Sequence, residues 1–427
     1  MKAIHVIDGP AARLASVATH LPLWGTESSR QAGPDEDALT LAVAAGRAAM
    51  GAAPTVSIER VVLITRDLTV LEGGSTAVLL AGLGLSHTVQ ASQVLGSAAA
   101  ALDALTSAAS GTLVIGSDAV SPAGSAAAVV GTDGAVLDSS CRFDASLPVR
   151  VRDALGSATE YDDARLLRDR GIATSIDRLA LDGPPTAVAG LAPRAAVSIA
   201  KDGPVVPVTG ASAPLFVLAA LLNDHRSGTL VAVDQASVSA ARLTADPALH
   251  STVVVASAPT PAVLPKRAVP SAAALAIALP AYERAFDAKL GLKGGRCPKC
   301  GTIDMPPRRQ CLACGHLLER GADHDLVSLP REATVYTAVT VQVPVPGLIT
   351  PYSLAIVELE GTPAEGGGIR ILVHVTDHQP GDIAIKDRGQ LVFRLIAIRS
   401  GVPDYGYAFV PDRKSAVDAG RMEEMAR

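Results

Sequence analysis

Five cysteines are the residues of this chain best suited to chemistry, and four of them fall into two pairs. Cys297-Pro298-Lys299-Cys300-Gly301 is followed, after a ten-residue arm, by Cys311-Leu312-Ala313-Cys314-Gly315. Each C-x-x-C sits on a tight turn with glycine directly after it, and two such corners can place four thiolates around one zinc ion. Four sulfurs leave no open coordination position, so the predicted zinc is structural and not hydrolytic. A redox C-x-x-C would explain one pair but not the second. His316 and His324 lie nearby and are not needed as ligands. Cys141 is left over, in Asp138-Ser139-Ser140-Cys141-Arg142. The Arg142 charge could lower its pKa and make it a nucleophile, but no His lies near it in sequence, and an isolated cysteine commonly packs as a small hydrophobe.

The elements that position these residues divide by composition. Residues 1–265 are rich in Ala, Val and Gly. They alternate short apolar strands, such as residues 60–64, with Ala-rich helical stretches, such as 35–50, which is the texture of α/β layers with buried strands. A repeat lies inside this region: Ser110-Gly111-Thr112-Leu113-Val114 recurs as Ser227-Gly228-Thr229-Leu230-Val231. Each copy follows an apolar helical segment and leads into a strand ending near an aspartate, Asp118 or Asp234, so two similar halves are predicted. Residues 266–293 comprise a Pro/Ala-rich linker and an amphipathic helix opened by Pro280. The cysteine region spans 294–320. Residues 321–415 hold β-rich runs at 333–345, 352–360, 369–376 and 390–398, the layout of a small barrel, and 416–427 form a tail.

Composition excludes several functions. Net charge is −5 with the signs interspersed, and aromatic residues are only 3%, so attraction to nucleic acid is not expected. Tyr336, Phe393 and Phe409 lie in apolar strand patterns that predict core positions. No apolar run reaches the roughly 20 residues of a membrane span. Residues 1–7 read as a first strand and not as a secretory signal, which with the metal-type cysteines predicts a cytoplasmic protein. Gly82-Leu83-Gly84 and Gly366-Gly367-Gly368 match no phosphate-loop pattern and read as turns.

Two resemblances follow from these motifs. The helix before Cys297, the two cysteine pairs with Met305-Pro306-Pro307-Arg308 between them, residues 347–359 and the stretch 403–411 resemble the rubredoxin-like zinc ribbon/OB-fold family that accompanies acyl-CoA enzymes. Residues 1–265 resemble the hydroxymethylglutaryl-CoA synthase/ketoacyl synthase III branch of the thiolase fold. There Ala91-Ser92-Gln93-Val94-Leu95-Gly96-Ser97-Ala98-Ala99 matches the nucleophile turn, and Thr209-Gly210-Ala211-Ser212-Ala213-Pro214 the second-half loop. The resemblance implies a layered αβαβα domain, then a zinc ribbon and an OB-type barrel.

It also implies a loss. The family's reaction needs a cysteine thiolate at a helix N-terminus, activated by the helix dipole and a histidine. Val94 stands at the nucleophile position, Val208 at the Asn position, and the His would fall at Gly190–Pro193, where there is none. The synthase-type Glu would fall near Arg66 or Asp67. Ser92 and Ser97 lack an identifiable base. The implied function is therefore a non-catalytic subunit of an acyl-CoA thiolase, acyltransferase or aldolase complex. It would pair with a catalytic thiolase-like subunit as a hetero-oligomer and help bind acyl-CoA. A stand-alone acyltransferase with an atypical nucleophile such as Cys141, and a nucleic-acid-binding or scaffold OB protein, remain the alternatives.

Overall fold

A computed structural model describes residues 11–27, 29–67, 75–145, 150–152, 158–160, 171–235, 237–255, 260–263, 279–318, 325–343, 350–399 and 402–412. The expected strand at 1–7, most of the linker, His324 and the tail from 416 lie outside them. The chain forms two compact units, Met1–Leu264 and Pro265–Arg427.

The first unit contains β1 (Ala12–His20), α1 (Ala38–Ala52), β2 (Arg60–Thr65), α2 (Thr76–Leu83), β3 (Gln90–Leu95), α3 (Ala98–Thr106), β4 (Thr112–Asp118), β5 (Gly124–Gly131) and β6 (Ala135–Phe143). It continues with α4 (Ile172–Arg178), β7 (Ala187–Ala189), α5 (Pro193–Ile199), α6 (Ala213–Asn223), β8 (Gly228–Asp234), β9 (Ser237–Thr244) and β10 (Thr252–Val255). These ten strands hydrogen-bond in the order β7-β8-β9-β6-β1-β5-β4-β2-β3, with β10 alongside β1. β1 joins two half-sheets: its N-terminal end meets β6 and its C-terminal end meets β10, while β5 runs along its length.

The alternation of side chains along each strand decides the layering. Leu230 and Ala232 of β8 point into a core with Val62, Ile64, Val114 and the apolar faces of α3 and α6. Val231 and Val233 point the other way, onto α4 and α5 through Leu179, Ile176, Ala196 and Ile199. In the first half, Leu113 and Ile115 face α1, close enough that a Cβ on Gly46 would lie 3.1 Å from Ile115 Cδ1. Helices α3 and α6 are therefore sandwiched between two half-sheets with further helices outside, and the predicted αβαβα order is found. α6 is apolar on nearly all sides, with Leu215, Leu218 and Leu221 fully buried, as a central helix must be. At roughly 1.5–3 kcal/mol per buried leucine, these residues hold the two halves together.

The repeat is structural too: α3 leads into β4 as α6 leads into β8. α1 begins one residue after Asp37, whose carboxylate caps the Thr40 N–H while Thr40 returns a bond to the Asp37 N–H.

The second unit begins with α7 (Leu279–Leu290), then β11 (Lys293–Arg296), β12 (Ile303–Asp304) and β13 (Asp325–Ser328), a small antiparallel sheet centred on β11. Strands β14 (Glu332–Val341), β15 (Tyr352–Leu359), β16 (Arg370–Val375), β17 (Arg388–Arg399) and β18 (Val402–Pro411) close into a barrel in the order β14-β15-β16-β18-β17. Phe393 and Phe409 are core residues as expected, with Phe393 stacked on Tyr405 at 5.5 Å. Tyr336 is not. It follows the buried Ala333 and Val335 in alternation and so points outward, 51% exposed beneath the Arg370 guanidinium. A bulge before Thr337 shifts the register only beyond it. β18 went unassigned in the sequence because Pro403 and Gly406 hide its pattern. Gly84 ends α2 in the left-handed conformation, and residues 366–368 lie between β15 and β16, so both glycine clusters are turns.

Candidate functional site

In the ribbon, the turns after each C-x-x-C are built by backbone bonds, Gly301 N–H to the Cys297 carbonyl and Gly315 N–H to the Cys311 carbonyl. Gly301 and Gly315 both have positive φ (75° and 69°), which glycine adopts at little cost. The four sulfurs lie within 4.8 Å of one another. Cys297 Sγ is 3.8 Å from Cys314 Sγ, and Cys300 Sγ is 3.5 Å from Cys311 Sγ. Four sulfurs at Zn–S bond length around a tetrahedron would be separated by about 3.8 Å, so the cluster could hold such an ion. Cys297 and Cys311 are buried, and Cys300 is exposed. Cys300 Sγ is bonded to the Thr302 hydroxyl at 3.3 Å, and this bond, then one with the Thr302 backbone, pulls the thiol pKa down to about 6.

The first unit brings together only some of the positions that the sequence comparison matched to catalytic roles. Gly190 and Val208 line one apolar recess of about 20 Å³, with Leu191, Pro193, Val197 and Val206 around it; no Cys, His or Asn is among its lining residues. Gly190 admits no side chain. Its φ is +85°, and a Cβ would lie 2.2 Å from the Val233 carbonyl oxygen and 3.0 Å from Ala98 Cβ. Val94 is not part of this recess; it stands near the end of β3, 39% exposed beside the more exposed Leu95. Ser92 and Ser97 are half-buried, and Ser97 is the N-cap of α3.

Cys141 lies on β6, 7% exposed, packed against Val188, Val231, Val238 and Ala240. Burial pushes its thiol pKa up, against the lowering expected from Arg142. Strand alternation explains the difference: Arg142 points to the other face, bound to Asp144 and Asp103.

A polar junction joins the halves where the two repeated strands end. Asp118, fully buried, accepts from Arg66 N–H at 2.7 Å, Arg66 Nε at 3.0 Å and Ala211 N–H at 2.6 Å. Its pKa is raised by burial, which outweighs the Arg66 charge and these bonds. Asp67 accepts from Ala119 and Val120 N–H at 2.8 and 2.7 Å. The repeat-related Asp234 mirrors this arrangement. Its carboxyl is raised by burial and opposed by the Ser97 N–H at the start of α3 and by the Arg66 charge. The carboxylate ending each repeated strand thus takes an N–H beside the opposite half's central helix. Gly210 is required here, since a Cβ would lie 2.1 Å from Asp118 Oδ2. The sequence pointed to both aspartates as strand ends but gave no sign of this exchange.

Fold and site define a class: a layered α/β unit of two similar halves carried with a four-cysteine ribbon and an OB-type barrel. The particular likenesses are these. Residues 326–394 match the family model described as ChsH2, C-terminal OB-fold domain. The chain is 29% identical over 119 residues to the benzoylsuccinyl-CoA thiolase subunit BbsA of Thauera aromatica, covering 28% of this chain and 74% of that protein. Among solved structures it is similar to an Ltp2-ChsH2(DUF35) aldolase, at 25% identity over 30% of this chain and 90% of the other, with a TM-score of 0.24. It is also similar to PksG, an HMG-CoA synthase from Bacillus subtilis, at 13% identity over 55% and 80% of the two chains, with a TM-score of 0.44. A 3-oxoacyl-(acyl-carrier-protein) synthase III matches at 18% identity over 56% and 100%, with a TM-score of 0.43. Among the described residues no helix is long and apolar enough to cross a membrane.

Proposed function

We propose that this chain is the non-catalytic subunit of an acyl-CoA thiolase- or aldolase-type complex, pairing with a catalytic thiolase-like subunit and helping to bind acyl-CoA. The observation that carries this reading is the apolar recess of the first unit. The positions of the missing His and Asn fall on it, at Gly190–Pro193 and Val208, and Gly190 has no room for any side chain. With Val94 at the nucleophile position there is no thiolate to attack a thioester. The likeness to a thiolase subunit and to an aldolase assembly supports a place in such a complex.

Thiolase-type folds pair through a strand of their sheet. β3 is an edge strand with no charged residue and with Val94 and Leu95 exposed, which suits it to such pairing. Zinc held by Cys297, Cys300, Cys311 and Cys314 would fix the ribbon, supplying folding energy and no reaction step. The domain limits given by sequence, 1–265, 266–293, 294–320, 321–415 and 416–427, are the working division of the chain, in a cytoplasmic setting.

Neither rival reading gains an observation. Cys141 is buried with a raised pKa. The outward face of β14–β16 carries the cross-strand pairs Val339–Leu354 and Ile356–Leu372, and its Arg370 is bound to Glu358 at 2.7 Å. That surface also carries the exposed Tyr336 and the Tyr352–His374 ring pair, but its arginine is neutralised by Glu358, unlike a phosphate-tracking groove. The test is activity of the purified chain alone toward acyl-CoA, compared with the chain bound to a thiolase-like subunit that has an intact Cys/His set. Thioester turnover by the chain alone would refute the proposal.

A further inference from the structure

We propose that the recess beside the four cysteines is a phosphate pocket that receives the nucleotide end of a CoA thioester; this rests on the reading that the chain binds acyl-CoA. Arg296 at the end of β11, and Arg308 and Arg309 in the arm between the cysteine pairs, line one cavity of about 130 Å³. Asp304, Asp325, His316 and the ligand cysteines Cys297 and Cys311 line it too, so three guanidinium groups meet two carboxylates directly beside the metal site.

The arginines are unequally engaged. Arg296 Nε stands 4.0 Å from Asp325 Oδ2, and one of its other nitrogens reaches the Ala364 carbonyl at 3.4 Å. Arg309 donates to the Leu318 carbonyl at 3.0 Å. Arg308, exposed at the rim, makes no hydrogen bond or ion pair among the described residues. A guanidinium fork with unused donors, flanked by two more, matches the paired oxygens of a phosphate.

Two other occupants are disfavoured. Nucleic acid shares the phosphate chemistry, but Asp304 and Asp325 in the recess and the net charge of −5 oppose a polyanionic strand. The arginines could instead balance the charge of a zinc tetrathiolate; Arg308 would then govern metal retention and not ligand binding.

The experiment is calorimetric titration of the zinc-loaded full chain with adenosine 3′,5′-bisphosphate, with pantetheine, with an acyl-CoA and with a single-stranded oligonucleotide. Wild type, Arg308→Gln and the barrel control Arg370→Gln are compared, with zinc content measured for each. The proposal expects the bisphosphate to bind with salt-sensitive affinity. Arg308→Gln should weaken it about tenfold or more, the worth of one charge-assisted hydrogen bond, with zinc retained and pantetheine and Arg370→Gln unchanged. Three results overturn it: unaltered bisphosphate affinity in Arg308→Gln, loss of zinc with that substitution, or binding of the oligonucleotide in place of the bisphosphate. If acyl-CoA binds equally well to wild type and Arg308→Gln, the pocket is wrong and acyl-CoA binding stands. If neither the bisphosphate nor acyl-CoA binds wild type, both fall.

Discussion

Replacing Asp118 by alanine should loosen the junction between the two halves of the first unit, by an amount that depends on pH in a defined direction. The substitution strips the acceptor from two backbone N–H groups, Arg66 and Ala211, and from Arg66 Nε. The guanidinium is 27% exposed and can turn to water, so only the two backbone donors are counted. At about 1–3 kcal/mol for each buried donor left unmade, the expected loss is about 2–6 kcal/mol. A loss of 3 kcal/mol would lower the Tm by roughly 6–12 °C in a unit of this size. Burial raises the Asp118 pKa above its ordinary 3.8. A carboxyl that holds its proton more tightly when folded contributes stability that is fully present below the unfolded value and is lost as pH rises through the folded one. The advantage of wild type over Asp118→Ala should therefore be larger near pH 4 than near pH 8. Trp24 is the single tryptophan, 2% exposed in this unit, so its fluorescence reports this unfolding alone. A loss under about 1 kcal/mol, or an advantage that grows with pH, would refute the reasoning; the second would mean that the Arg66 pairing outweighs burial.

Cys141→Ala should leave any acyl-CoA turnover of the assembled complex unchanged and cost about 1 kcal/mol, and the native Cys141 thiol should resist a thiol reagent until the unit unfolds. Gly190→Ala should destabilise the first unit by well over 1 kcal/mol in urea melts, because φ is +85° and the added methyl meets the Val233 carbonyl. Metal analysis should find one zinc per chain, and Cys311→Ser or a strong chelator should release it and melt the ribbon, read as new protease cleavage between residues 293 and 318. Phe409→Ala should cost the barrel about 3–5 kcal/mol, since the ring is fully buried.

How much of this was readable depended on how local the signal was. The four cysteines announced their cluster because thiolate spacing on two tight turns is a short-range pattern. The repeated Ser-Gly-Thr-Leu-Val announced the halves because each copy is one helix–corner–strand unit. Tyr336 misled because an aromatic within an apolar run suggests burial, whereas alternation after the buried Ala333 and Val335 turns it to solvent. β18 escaped notice because Pro403 and Gly406 interrupt it, and barrel closure, not local preference, holds it in register with β17. The exchange of Asp118 and Asp234 was beyond reach for a different reason. Asp118 is bound by the Ala211 N–H 93 residues away and Asp234 by the Ser97 N–H still farther off in sequence, and backbone donors carry no residue label.

The central claim is that this chain does no thioester chemistry of its own. The direct measurement is CoA release from an acyl-CoA by the zinc-loaded chain, alone and after co-purification with its thiolase-like subunit, with the partner's composition read by mass spectrometry. The account expects no release by the chain alone, and release by a complex whose partner supplies the Cys/His set. Turnover by the isolated chain that survives removal of every co-purifying protein would contradict it.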